Sequence, residues 1–237
     1  MNMQLTKVTL TGIDDKTDFE QAHALSARFP LLEWGILLGG TETPRYPSID
    51  FIGEWAMQCQ EKGTRTAMHL CGKFARAWID KDQEIVSLAR QFGRIQVNVV
   101  ASRIEVDALV EAIKEGRHHD IITQHNQANE EITARLAGVS NHSVLFDASG
   151  GRGVGPAQWP DALAGKACGY AGGMGPANVV EELGRIEKAA AGASFWIDME
   201  GQIRTPEDTL DLSKCEQVLS QVAQWEVGHE RSPRFSR

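Results

Sequence analysis

Two aspartates close short apolar stretches of this chain. Asp147 follows Ser143, Val144, Leu145 and Phe146, and Asp198 follows Phe195, Trp196 and Ile197. A carboxyl group held at the mouth of a packed core can act as a general acid or base when its surroundings raise its pKa. The same placement also suits a helix cap or a hydrogen bond to loop backbone. Glycines crowd behind both residues and behind a third stretch: Ser149-Gly150-Gly151, Ala171-Gly172-Gly173-Met174, and Gly201 after Glu200. Glycine lets backbone N–H groups approach an anion closely, so neighbouring glycine segments point to a cradle for a phosphate or similar group. His69 and Cys71 stand two residues apart at the end of another apolar stretch, a spacing that puts both on one face of a strand. Lys73, just past Gly72, is the lysine nearest such an end and the one candidate for Schiff-base chemistry.

These residues need a scaffold that brings distant strand ends together. Apolar runs recur at residues 7–13, 33–38, 65–70, 95–101, 120–124, 143–147, 167–171 and 195–198. They begin at intervals of roughly 23–32 residues, the length of a strand, a helix and two short loops. Several are apolar almost throughout, as strands covered on both faces are. Between them, helical spacing marks residues 19–29, 106–113, 178–191 and 212–225, and Gly63, Gly93, Gly116 and Gly138 stand where helices should stop. Strict alternation of strand and helix implies a parallel sheet, and eight units predict a single closed (β/α)8 TIM barrel over residues 1–227 rather than an open doubly wound sheet. Residues 228–237 are polar and read as a flexible tail. In such barrels ligands bind at the C-terminal strand ends, where all the residues above lie, and phosphate is commonly held by the last two loops.

The 237 residues suit one such barrel, and 42% hydrophobic with 24% charged residues is ordinary for a globular chain. A net charge of −8 gives no general attraction to nucleic acid or anionic membrane, so an anionic ligand must be held by local groups. The expected partner is a small phosphorylated substrate, with neither nucleic acid nor membrane, and the protein is expected as a monomer or homodimer. Cys59, Cys71, Cys168 and Cys215 form no CxxC pair, and His69, Cys71 and His125 lack paired ligand spacing. No metal and no cofactor are therefore expected, and the thiols read as reduced in a cytoplasmic protein. No apolar run approaches a membrane span, and Met1 to Thr11 carries no secretory pattern.

Five segments in order carry a family likeness: Val8-Thr9-Leu10-Thr11-Gly12-Ile13; Pro44-Arg45-Tyr46; Leu145-Phe146-Asp147-Ala148-Ser149-Gly150-Gly151-Arg152-Gly153; Ala171-Gly172-Gly173-Met174 with Pro176 and Asn178-Val179; and Asp198-Met199-Glu200-Gly201. In these the chain resembles phosphoribosylanthranilate isomerase, the barrel enzyme of tryptophan biosynthesis. The third to fifth strands match poorly. The resemblance implies an Amadori rearrangement, in which an aminoaldose phosphate ester becomes an aminoketose. It implies Asp147 as general acid, Arg45 as the holder of a substrate carboxylate, and backbone at Gly150, Gly151, Gly172, Gly173 and Gly201 as the phosphate site, with Asp198 beside the substrate. The family's base is a cysteine in a Cys-Gly-Ile motif, and Thr11 stands in its place; a threonine hydroxyl is a very poor base near neutral pH. Cys71 and His69 are the replacements available at the same mouth. Three readings follow: an isomerase of this type with a changed substrate, another phosphosugar enzyme such as an epimerase, aldolase or lyase, and a non-catalytic binder of phosphorylated ligands.

Overall fold

The computed structural model describes residues 5–41, 43–116, 120–147 and 155–231. Eight parallel strands close into a barrel in chain order, β8 pairing back onto β1. They are β1 (Leu5–Ile13), β2 (Leu32–Leu38), β3 (Thr66–Cys71), β4 (Arg94–Asn98), β5 (Asp120–His125), β6 (His142–Asp147), β7 (Cys168–Ala171) and β8 (Phe195–Met199). Each falls on one of the eight apolar runs to within a few residues, because a strand covered on both faces must be apolar nearly throughout.

The helices form the outer ring: α1 (Phe19–Arg28), α2 (Ile49–Lys62), α3 (Lys73–Ile79), α4 (Gln83–Ala89), α5 (Val106–Glu115), α6 (Glu130–Arg135), α7 (Val179–Ala190) and α8 (Leu212–Arg231). Local chemistry sets their ends. The Asp18 and Ser48 side chains accept from the Gln21 and Phe51 backbone N–H groups at the starts of α1 and α2, and Gly63 ends α2 in the left-handed conformation. α5 buries Leu109, Val110 and Ile113, and α7 buries Val179, Leu183 and Ile186, each on one face against the barrel. The third unit carries two short helices, and residues 155–167 before β7 carry none, so the ring is irregular. The last helix runs through Gly228 to Arg231, four residues into the stretch expected as a tail; residues 232–237 lie outside the described part. No described helix is long and apolar enough to cross a membrane.

Barrel interiors are usually filled by bulky branched side chains. This one is filled largely by polar groups. Arg94 of β4 donates through Nε and Nη2 to both oxygens of Glu33 on β2, at 2.6–3.1 Å, and Thr9 of β1 bonds to both partners. The Arg94 guanidinium lies 4.6 Å from the ring centre of Trp196. That ring fits inside the barrel because Gly169 on the neighbouring strand has no side chain; a Cβ there would stand 2.1 Å from it. Ile122, Leu145 and Trp196 supply the small apolar part of the interior.

Candidate functional site

Above this floor the C-terminal strand ends enclose a cavity of about 560 Å³. The described residues of the expected set meet there: Thr11, Arg45, His69, Cys71, Asp147, Gly172, Gly173, Asp198 and Gly201 all line it. Gly150 and Gly151 lie outside the described residues. The positions follow from strand register. Asp147, Ala171 and Asp198 are consecutive partners across β6, β7 and β8, so the two aspartates stand in one row, two strands apart. At an interstrand spacing of roughly 4.8 Å, their backbones are about 10 Å apart.

Asp198 is buried at the cavity wall, and Thr11 Oγ1 donates to its Oδ1 at 2.9 Å. Burial pushes its carboxyl up to about 8, overriding the Thr11 hydrogen bond and the Arg94 charge, which both favour ionisation. His69 Nε2 lies 3.6 Å from Asp198 Oδ2, beyond hydrogen-bond length. Burial, with help from Arg94, pulls His69 down to about 3. A neutral imidazole therefore faces a mostly protonated carboxyl near pH 7, and the contact is not an ion pair. Asp147 sits differently: Gln124 Nε2 donates to its Oδ2 at 3.0 Å.

The base candidates separate on this geometry. Thr11 acts as a donor to Asp198, and a Cβ built on its register partner Gly35 would stand 2.2 Å from Thr11 Oγ1 and 2.9 Å from its Cα. Only glycine at position 35 leaves the hydroxyl where it is. Gly35→Ala is expected to lower stability by about 1–3 kcal/mol through overpacking, measured by urea denaturation, and to displace the Thr11 hydroxyl. Cys71 accepts from Asn98 Nδ2 at 3.2 Å, and burial raises its thiol, so it remains protonated rather than a thiolate base.

Arg45 does not project freely into the cavity. Its Nε donates to Asp208 at 2.8 Å and its Nη1 to Glu200 Oε1 at 2.7 Å. The Arg45 hydrogen bond holds the Asp208 carboxyl below its ordinary range, while burial raises Glu200 against the pull of Arg45. Asp208 is also held by Arg204 Nε at 2.8 Å, and Arg204 in turn donates to the Gly12 carbonyl and pairs with Asp14. The Asp14 carboxylate accepts from the Leu210 N–H at 2.7 Å. The loop after β8 is thus fastened to the loop after β1, and the loop after β2 is fastened onto it through Arg45. Glu200, a carboxylate that would repel a phosphate, is neutralised by this pairing.

Gly172 and Gly173 take positive φ values of 129° and 65°, and with Gly201 they bring backbone to the cavity wall on β7 and β8. Two side chains considered for other chemistry stand apart from the cavity chemistry. Lys73 opens α3 with its ammonium 4.8 Å from the Phe74 ring centre, and no lysine lines the cavity among the described residues. His125 bonds Thr133 at 2.8 Å and packs edge-on against Phe146 instead of joining His69 and Cys71. Among the described residues no three His, Cys, Asp or Glu side chains are grouped as a metal ion would need.

Gln96 and Asp208 were not singled out from the sequence, and Tyr46 was named only within the Pro44-Arg45-Tyr46 segment. Gln96 and Asn98 alternate with Ile95 and Val97, a period-two signal that one face of β4 is polar. Asp208 lies in a loop, and only its contact with Arg45 marks it.

Neither a family model nor a curated protein sequence matches this chain. Solved structures do. A phosphoribosylanthranilate isomerase from Thermus thermophilus is similar with a TM-score of 0.65 at 16% identity, over 92% of this chain and 98% of that one. The corresponding isomerase from Thermotoga maritima gives 0.63 at 13%, over 92% and 99%. A phospho-2-dehydro-3-deoxyheptonate aldolase from Thermotoga maritima gives 0.58 at 10%, over 95% and 71%. At these identities the likeness establishes the barrel fold, which hosts isomerases and aldolases alike.

Proposed function

We propose that this chain is a sugar-phosphate isomerase that performs an acid/base aldose–ketose rearrangement, with Asp198 and Asp147 as the proton-transferring pair. The observation that carries this reading is the row of two carboxyl groups at one rim with unlike surroundings, one of them raised by burial to about 8. Paired titratable groups whose environments differ are the recurring arrangement of acid/base sites. A base works best with a pKa near the working pH, and near pH 7 roughly a tenth of a group titrating at 8 is ionised.

Asp147, oriented by Gln124, gives a proton to the ring oxygen as the sugar opens. Asp147 takes up the anomeric hydroxyl proton in return and passes it to the carbonyl oxygen as Asp198 removes the proton from the neighbouring carbon. The hydroxyl proton on that carbon then goes back to Asp147, and the Asp198 carboxylic acid, its proton exchanged with solvent, protonates the former carbonyl carbon, leaving the ketose. Thr11 keeps Asp198 in place, so the function of the family cysteine passes to the neighbouring carboxyl group. The phosphate rests on the backbone of Gly172, Gly173 and Gly201. The aldolase alternative loses support because no described lysine lines the cavity.

The test uses pure protein with aldopentose and aldohexose phosphates, and with an N-aryl aminoaldose phosphate, in deuterium oxide. Ketose carrying deuterium at C1 is expected by NMR, and Asp147→Asn should slow its formation by about 10²–10⁴-fold. Ligands that raise the melting temperature without any exchange would identify a binder and overturn the isomerase reading.

A further inference from the structure

β3 and β4 present a two-by-two patch to the cavity. His69 is the register partner of Gln96, and Cys71 of Asn98. All four side chains line the cavity, and none is a charged group: burial keeps the imidazole neutral and the thiol protonated. They are linked from below upwards, Gln96 Nε2 donating to Asn98 Oδ1 at 2.9 Å and Asn98 Nδ2 to Cys71 Sγ. Two polar atoms at the base of the patch have no hydrogen-bond partner, Gln96 Oε1 and His69 Nε2, in side chains only 3% and 4% exposed. Such atoms are costly to bury unpaired, by about 1–3 kcal/mol each, so a pair of them in side chains that line a cavity points to a ligand that completes the bonding once those side chains turn towards it.

A second, independent observation lies on the opposite side. A substrate carboxylate needs a cation, and Arg45, the one arginine lining the cavity among the described residues, is already bound to Glu200 and Asp208. A ligand carboxylate would approach a guanidinium that already carries two carboxylates, and would be repelled by both.

We propose that the β3–β4 wall is a subsite for an uncharged, polyhydroxylated half of the substrate, and that the substrate carries no carboxylated aromatic ring. Sugar hydroxyls suit this wall because each is both donor and acceptor. A hydroxyl can donate to Gln96 Oε1, and others can meet His69 Nε2 and the Asn98 amide. The proposal rests on the isomerase reading for the identity of the ligand as a sugar phosphate.

The experiment is calorimetric titration of the whole chain with aldotetrose to aldohexose phosphates, their mono-deoxy analogues, inorganic phosphate, and an N-(2-carboxyphenyl) aminoaldose phosphate. Wild type is expected to bind one fully hydroxylated sugar phosphate at least tenfold more tightly than one of its deoxy analogues. Gln96→Leu should erase that preference while leaving inorganic phosphate affinity unchanged. Asn98→Leu, at the more open rim, is the parallel variant should Gln96→Leu fail to fold. Unchanged discrimination in the folded variants, tighter binding of the carboxyphenyl compound than of every polyol, or no binding of any sugar phosphate would each overturn the subsite. Selectivity that vanishes in Gln96→Leu, with no deuterium exchange in wild type, would sink the isomerase reading and leave the subsite standing. Exchange with unaltered selectivity would do the reverse.

Discussion

Asp198→Asn is expected to lower turnover of the isomerised sugar by about 10²–10⁴-fold, the range for loss of a positioned general base. Asparagine preserves the size of the side chain and can still accept the Thr11 hydrogen bond, so the cavity should keep its shape and its ligands. Steady-state rates of the variant should fall while calorimetric affinity for the sugar changes little. If turnover is retained within a few-fold, the base lies elsewhere.

The same substitution has an expected signature in stability, with its sign set by the direction of the shift. Folding raises the Asp198 carboxyl from 3.8 to about 8, so between those values the folded protein holds a proton that the unfolded chain has released. Stability therefore falls as pH rises through this window, and the loss is complete above about 8. His69 and His142 shift the other way, from 6.5 to about 3, so their contribution is present above 6.5 and is lost as pH falls from there towards 3. Between pH 6.5 and 8 Asp198 is the largest contributor of these three groups, the two histidines opposing it by less than about 1 kcal/mol in all. Wild type should lose about 1.6 kcal/mol more across that interval than Asp198→Asn, by urea denaturation at the two pH values. Equal slopes for the two proteins would show that the folded carboxyl is not raised.

Arg94→Met is expected to destabilise the barrel by about 3–5 kcal/mol. The guanidinium is 4% exposed and Glu33 2%, and removing one partner strands the other charge in the interior. Loss of the Trp196 contact adds to the effect. The decisive comparison is Arg94→Met with Glu33→Leu together, which removes both charges and should recover most of the loss. A single variant as stable as wild type by urea unfolding would show that the pair is solvated.

The strands and their order, and with them the rim at which the candidate residues meet, were legible in the sequence, because eight buried strands must be apolar and their spacing leaves room for the helices of a parallel barrel. Asp147 and Asp198 were legible for the same reason: a carboxylate ending an apolar strand interrupts its pattern. α2 was not singled out from the sequence, although it buries Ile52, Trp55, Ala56 and Cys59 at helical spacing. The roles of the side chains were decided only by tertiary structure. Thr11 and Asp198 are 187 residues apart in the chain, and barrel closure between β1 and β8 makes them neighbours. The family resemblance implies Arg45 as the holder of a substrate carboxylate, and only the tertiary structure shows the side chain paired with Glu200 and Asp208 from beyond β8. Local pattern reports which face is buried. Whether a buried charge finds a partner depends on which loops meet at the barrel mouth, and that is a property of closure rather than of any segment.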